Sequence, residues 1–204
     1  MEFYHNLVTQ QSWEELKNLK KVVGNFVLIG GWAVYLYTKA LKSKDIDIII
    51  NYDQLPSFEK HYQFYKNDRL KKYEAVKGNV QIDIYLPHYS EIGIPVENLL
   101  RETSKVGGFS VLNANYLFVL KLVTLKARGR SPKGSKDLID LVSLYNSGVI
   151  SSNIVRKITK EYNLYESLDR FKEFLSENTE ISELALNKHS FSKLQKKMQV
   201  DLFE

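Results

Sequence analysis

Asp45 and Asp47 stand two residues apart inside "DIDIII", the most isoleucine-rich stretch of the chain, and Asp83 stands in a matching apolar setting in "QIDIYL". Side chains of a β-strand alternate between its faces, so Asp45 and Asp47 project together while Ile46, Ile48 and Ile50 turn the other way. Two carboxylates that close repel, and in partial burial one of them is pushed toward protonation. A divalent cation removes the conflict. Mg2+, or Mn2+ in its place, is hard and oxygen-seeking, and it usually takes one or two protein carboxylates, water and substrate phosphate. If the strand carrying Asp83 lies beside the first, three carboxylates converge on one face. That is the minimum for two metal ions about 3.5–4 Å apart in an in-line phosphoryl transfer. The plain alternative is that the aspartates coat the wet face of an amphipathic sheet, and strand alternation alone does not separate the two.

Gly30-Gly31 falls between an apolar strand and a helix, just upstream of this pair. Glycine there lets the backbone turn sharply and leaves N–H groups uncovered at a helix N-terminus, where phosphate is favoured. A lone Gly-Gly is equally a plain strand-to-helix turn. The order of strand, Gly-Gly, helix, strand with Asp-x-Asp, then a later strand with Asp is far more specific.

The elements that must hold these groups follow from periodicity. Trp13, Leu16, Leu19 and Val23 are spaced as on a helix over residues 11–22. "NFVLIG" reads as a short strand, "GWAVYLYTKAL" as a helix, and "DIDIIIN" as a strand closed by the turn signal "NYDQLPS". Residues 57–65 read as one short helix. "YEAVKGNVQIDIYLP" reads as a hairpin around Gly78-Asn79, and "GGFSVLN" as a further short strand after a loop and a short helix. Beyond Asn113 the pattern turns helical. "NANYLFVLKLVTLKARGR" has Asn113 or Asn115 as an N-cap, and a second helix begins near Ser135. "SSNIVRKITKEYN", "LYESLDRFKEFLSEN" and "FSKLQKKMQVDLF" are three more helices. The plan is an α+β protein, with an α/β core over residues 1–112 and a helical domain over residues 113–204.

Composition narrows the setting. With 204 residues, 44% hydrophobic and 26% charged, the chain has ordinary globular proportions. No apolar run approaches the roughly 20 residues that span a bilayer. No charged segment followed by an apolar one opens the chain, so no signal peptide and no membrane partner are expected. Cysteine is absent, which excludes disulfides and thiolate metal sites and fits a cytoplasmic setting. The formal net charge is +5, and residues 105–136 hold seven Lys or Arg with no Asp or Glu. Such a run could attract polyphosphate or nucleic acid, although a solvated basic face is the simpler account.

The ordered motifs resemble the nucleotidyltransferase superfamily that shares the DNA polymerase β-type palm, through "LIGGWA", "DIDIII" and "QIDIYL". Within it, "LIGGWAVYLY…SKDIDIII" is most similar to the AbiEii-type toxin and antibiotic-nucleotidyltransferase branch. Ser43 stands where that branch often carries Thr. Leu41 stands where it often carries Arg, with Lys42 and Lys44 nearby. The branch implies a Lys in an apolar helix, matched by Lys121, and a Lys-Asp-x-x-Asp helix start, matched by Lys136, Asp137 and Asp140. Lys121, Thr124, Leu125 and Arg128 share one helical stripe, from which a lysine could meet a triphosphate. The simpler accounts are a solvent-facing Lys121 and acids that complement a helix N-terminus.

The resemblance covers roughly residues 26–145 and implies a mixed β-sheet flanked by helices, followed by a helical region. It implies Mg2+-dependent transfer of a nucleoside monophosphate from an NTP to an acceptor hydroxyl on RNA or tRNA, a protein or a small molecule. Asp45, Asp47 and Asp83 are the implied metal ligands, with Asp83 also placed to help activate the acceptor. Gly30, Gly31, Ser43 and Lys121 are the implied phosphate contacts, and Asp137 orients Lys121 or the acceptor. Some members are toxins with an antitoxin partner. The rival expectation is a non-catalytic nucleotide- or partner-binding protein on the same fold.

Overall fold

Alternating apolar and polar positions build a sheet whose two faces differ in chemistry. In a computed structural model, residues 2–204 are described and the chain divides into two compact units. One unit comprises the chain through Leu36 together with Lys42–Asn113, and the other comprises Tyr37–Leu41 and Ala114–Glu204.

The first unit is built on seven strands: β1 (Val27–Ile29), β2 (Ile46–Ile49), β3 (Gln63–Asn67), β4 (Lys72–Lys77), β5 (Val80–Tyr85), β6 (Thr103–Val106) and β7 (Phe109–Leu112). They form one mixed sheet in the order β3-β4-β5-β2-β1-β7-β6. The β2–β5 and β1–β7 pairs are parallel, and the remaining pairs are antiparallel. Its helices are α1 (Glu2–Val23), α3 (Leu55–His61) and α4 (Val96–Leu99), with α2 (Gly30–Thr38) starting directly after β1. Leu16 and Leu19 of the expected α1 stripe are fully buried. Trp32 of α2 packs at a tilt against Trp13 with centroids 5.1 Å apart and donates its indole N–H to Ser12 Oγ at 2.8 Å. The indole thereby buries its ring without stranding its polar atom.

The hairpin read around Gly78-Asn79 is present as β4 and β5. Two strands escaped the sequence reading. The helix expected over residues 57–65 ends at His61, and β3 follows from Gln63. Tertiary contacts decide this. Phe64 stacks on Tyr73 of β4 at 5.3 Å, a cross-strand pair that helical spacing would break. Upstream of "GGFSVLN", β6 pairs with β7 across the turn at Gly107-Gly108.

The second unit is helical: α5 (Ala114–Arg128), α6 (Pro132–Asn146), α7 (Ser152–Glu161), α8 (Tyr165–Glu177) and α9 (Lys188–Phe203). Helix α5 packs against α6, α7 and α8 and is buried on most of its sides, with Phe118 edge-on to Phe171 of α8 at 5.8 Å. Helix α6 begins at Pro132, earlier than the expected Ser135. Ser131 caps it, its side chain accepting from the Gly134 N–H at 3.1 Å, and proline takes the first turn, where no N–H is missed. The structure thus has the expected α+β class, a mixed sheet flanked by helices and followed by a helical region. Among the described residues, no helix is long and apolar enough to cross a membrane.

Glu15 ties α1 to the sheet. It accepts from the Tyr62 hydroxyl at 2.7 Å and from Asn18 at 3.2 Å, and it meets Lys77 at 3.0 Å. Burial alone would raise its pKa, but the bonds from Tyr62, Lys77 and Asn18 outweigh it and hold the carboxyl below its ordinary value of 4.5. A depressed folded pKa gives stability that is present above the unfolded value and is lost as pH falls through the folded one. Glu15→Gln should therefore lower unfolding stability at pH 7 by about 1 kcal/mol after solvent screening. In urea titrations the gap between variant and wild type should close as pH drops below 4.5.

Candidate functional site

Strand register decides which carboxylates meet. Ile29 of β1, Asp47 of β2, Asp83 of β5 and Glu74 of β4 are successive register partners across four neighbouring strands. Asp47, Asp83 and Glu74 therefore form a row on one face of the sheet. Ile46, Ile48, Ile82 and Ile84 are fully buried and belong to the opposite face. Asp45 lies at a bend immediately before β2 rather than within the strand.

The Gly-Gly turn touches this row. Gly30 has a φ of +66°, in the region that only glycine enters without strain, and a Cβ built on it would lie 2.1 Å from Asp47 Oδ2. Two separate sequence motifs are thus one locus, with the Asp47 carboxylate filling the space left by the missing side chain. Gly31 is buried beside it, and Ser43 is buried at 5% exposure.

Like charges directly opposite on paired strands repel, and here Lys72 answers that repulsion. Its ammonium lies 2.6 Å from Asp83 Oδ2 and 3.1 Å from Glu74 Oε1. Gln81 donates to Asp83 Oδ1 at 2.8 Å, and Asn67 donates to Glu74 at 2.9 Å. Lys72 is only 7% exposed. Burial acts to lower its pKa, yet Asp83 and then Glu74 more than compensate, so the net shift is upward and the side chain stays charged. Neither Lys72 nor Glu74 was singled out from the sequence. The period-two spacing of Lys72 and Glu74 in "KYEAVK" was the available signal, but it says nothing about which strand they face.

Mg2+ suits part of this set. Asp45 and Asp47 are hard oxygen donors two residues apart, and one such pair is what this ion usually takes from protein. The fit is to a single ion at that end of the row. Both oxygens of Asp83 are engaged, by Lys72 and Gln81. Among the described residues, no group of three or more His, Asp or Glu side chains is arranged to hold a metal ion.

The helical unit gathers the other expected residues into a second cluster. Lys121 Nζ donates to Asp137 Oδ1 at 2.7 Å and pairs with Asp140 Oδ2 at 2.7 Å, while Arg128 donates to Asp137 Oδ2 at 2.8 Å. Lys121 is 6% exposed, and both aspartates are 1% exposed. Burial pulls the Lys121 pKa down, but Asp140 and Asp137 override it, and the ammonium is held well above its usual range. Lys121 lies on the packed side of α5, away from the exposed Lys126, so the solvent-facing account of Lys121 fails. Asp137 and Asp140 lie beyond the first turn of α6, because the helix starts at Pro132. They are counter-ions of Lys121 rather than partners of a helix N-terminus.

No family model matches the chain, and no curated protein matches it. Among solved structures it is similar to an antigenic nucleotidyltransferase-like protein from Paracoccidioides brasiliensis, at 14% identity and a TM-score of 0.40 over 67% of this chain and 74% of that one. It is similar to the Megavirus polyadenylate synthase at 12% identity and a TM-score of 0.48, covering 72% of this chain but 32% of that protein. It is also similar to JHP933 from Helicobacter pylori at 16% identity and a TM-score of 0.47, over 98% of this chain and 91% of that one. At such identities and TM-scores the functional reading falls to this chain's own residues.

Two substitutions probe the geometry. Gly30→Ala should cost about 1–2 kcal/mol for the left-handed backbone alone and more for the displaced Asp47 carboxylate, read as a lowered midpoint in chemical unfolding. Lys121→Met should destabilise by about 3–5 kcal/mol, because it leaves Asp140 charged and buried with no cation. Arg128→Met should cost clearly less in the same assay, since its side chain is 41% exposed.

Proposed function

We propose that this chain is a nucleotidyltransferase of the polymerase β-palm type, moving a nucleoside monophosphate from an NTP to an acceptor hydroxyl. The observation that carries the reading is the contact between motifs: the Asp-x-Asp carboxylate rests on the Gly-Gly turn, so a phosphate-favouring backbone and a cation-favouring pair occupy one place. In the transfer, the acceptor oxygen bonds to the α-phosphorus, the bond to the bridging oxygen breaks, and pyrophosphate leaves while the acceptor proton passes to solvent. Bound Mg2+ would offset triphosphate charge and orient the phosphates for in-line attack.

The chain's own groups do the remainder. Asp45 and Asp47 hold the charge that draws the cation–nucleotide complex. The N–H groups at Gly30-Gly31, with Ser43, serve as phosphate donors, acting in a fixed geometry that needs no rearrangement during reaction. The acceptor classes implied by the resemblance were RNA or tRNA, protein and small hydroxylated molecules, with an antitoxin as a further partner. Four of the seven cations in the basic run that favoured RNA face acids of this chain. Lys121 and Arg128 engage Asp137, Lys126 pairs with Glu166, and Arg130 pairs with Glu177. That pairing favours a small hydroxylated acceptor over a long polyanion.

One specific observation favours the non-catalytic rival: Asp83 already carries a lysine counter-ion. The test is incubation with each of the four α-labelled NTPs, Mg2+, and RNA, protein or small-molecule fractions in separate arms. Label should appear in one fraction and fall at least about 100-fold, the scale of losing one key electrostatic group, in Asp45→Asn/Asp47→Asn. Transfer unchanged in that variant would overturn the site, and label in no fraction would overturn transfer in favour of binding alone.

A further inference from the structure

The row of carboxylates across β2, β5 and β4 holds its own cation at one end. We infer that the Lys72 ammonium stands in place of a second metal ion, withholding Asp83 and Glu74 from metal and leaving a single cation site at Asp45 and Asp47. This rests on the transferase reading for its purpose, but its content is a statement about metal stoichiometry.

The geometry supports it in three steps. Asp83 is the register partner of both Asp47 and Glu74, so it is the carboxylate that a two-ion site would have to share. Its Oδ2 meets Lys72 at 2.6 Å and its Oδ1 accepts from Gln81 at 2.8 Å, so a second ion would have to compete with a partner already present on whichever oxygen it took, and on Oδ2 with a fixed positive charge. Lys72 cannot readily withdraw. Its side chain is 9% exposed and bridges two strands, and removing it would set Asp83 against Glu74 with no positive charge between them. A covalently attached ammonium thus supplies a permanent charge where a two-metal site would depend on ion concentration. Lys72 acts as a positioning residue: it fixes the rotamer and charge of Asp83 one strand away from Asp47.

Counting Mn2+ by electron paramagnetic resonance on the full chain, without nucleotide, tests this directly. Wild type should bind one Mn2+ per chain, Asp47→Asn should bind none, and Asp83→Asn should still bind one with affinity changed less than about threefold. Lys72→Met should gain a second Mn2+, because Asp83 and Glu74 are released together. Two ions on wild type with one lost in Asp83→Asn would overturn the inference. So would no ion on wild type, or a folded Lys72→Met that still binds one. Should Lys72→Met fail to fold, the Asp83→Asn count decides alone. The readout needs no turnover. Absent label transfer with the expected counts removes the transferase reading and leaves this inference standing, whereas transfer with two ions on wild type does the reverse.

Discussion

Three carboxylates abreast on one sheet face are the constraint around which the first unit is organised. Neighbouring strands run about 4.8 Å apart, and two like charges at about 5 Å repel by roughly 3 kcal/mol at the effective dielectric of a protein surface. A row of three would strain the sheet at its centre, where the β2–β5 pairing holds Asp47 beside Asp83. Lys72 relieves one half of the row. At the other half, Asp47 lies against a residue with no side chain, and Gly30 must be glycine for the carboxylate to fit at all. The strand order thus sets the problem, the lysine answers its charge, and the glycine turn gives the carboxylate room.

The helical unit faces the same problem and solves it to a different end point. Lys121 and Arg128 set two cations against Asp137 and Asp140, a balanced cluster inside a packed bundle. Asp140 Oδ1 has no hydrogen-bond partner there, so the cluster is balanced in charge without being fully satisfied in hydrogen bonds. The sheet row is half-exposed instead: Lys72 meets Asp83 and Glu74 there, and Asp47 lies against the Gly30 turn. A balanced buried cluster needs nothing from outside. The half-exposed row is open to solvent, and it is there that the proposed cation and nucleotide would be met.

Local pattern carried much of this into the sequence. The Gly-Gly turn and the hairpin at Gly78-Asn79 each have a signal within a few residues and are found where the pattern puts them, while the Asp-x-Asp strand begins one residue late and leaves Asp45 at the bend before it. What escaped was set by partners distant in the chain. Residues 57–65 have apolar spacing that suits a helix, and it is the antiparallel ladder with β4, with Phe64 stacked on Tyr73, that makes a strand from Gln63. The start of α6 was misplaced by three residues, although Ser131-Pro132 is an N-terminal signal and was available. Lys72 has only its period-two spacing with Glu74 as a local mark, and its role depends on β4 lying antiparallel beside β5. The stripe joining Lys121 to Arg128 was legible, and both side chains do reach Asp137. That α5 is buried on most sides was not.

Charge counted along a chain differs from charge presented in space. The seven cations between residues 105 and 136 look like an anion-binding surface because no acid interrupts them. Four of them, Lys121, Lys126, Arg128 and Arg130, meet acids from elsewhere in the helical unit: Glu166 and Glu177 from α8, Asp137 and Asp140 from α6. A nucleic-acid backbone binds basic side chains by shedding its own counter-ions, and a lysine that must also shed a carboxylate returns less. Exposed pairs such as Lys126–Glu166 are worth about 0–1 kcal/mol and can exchange partners. The buried Lys121 cannot do so without stranding two aspartates. The run therefore offers a polyanion only its outer members, because its buried lysine is committed to two aspartates.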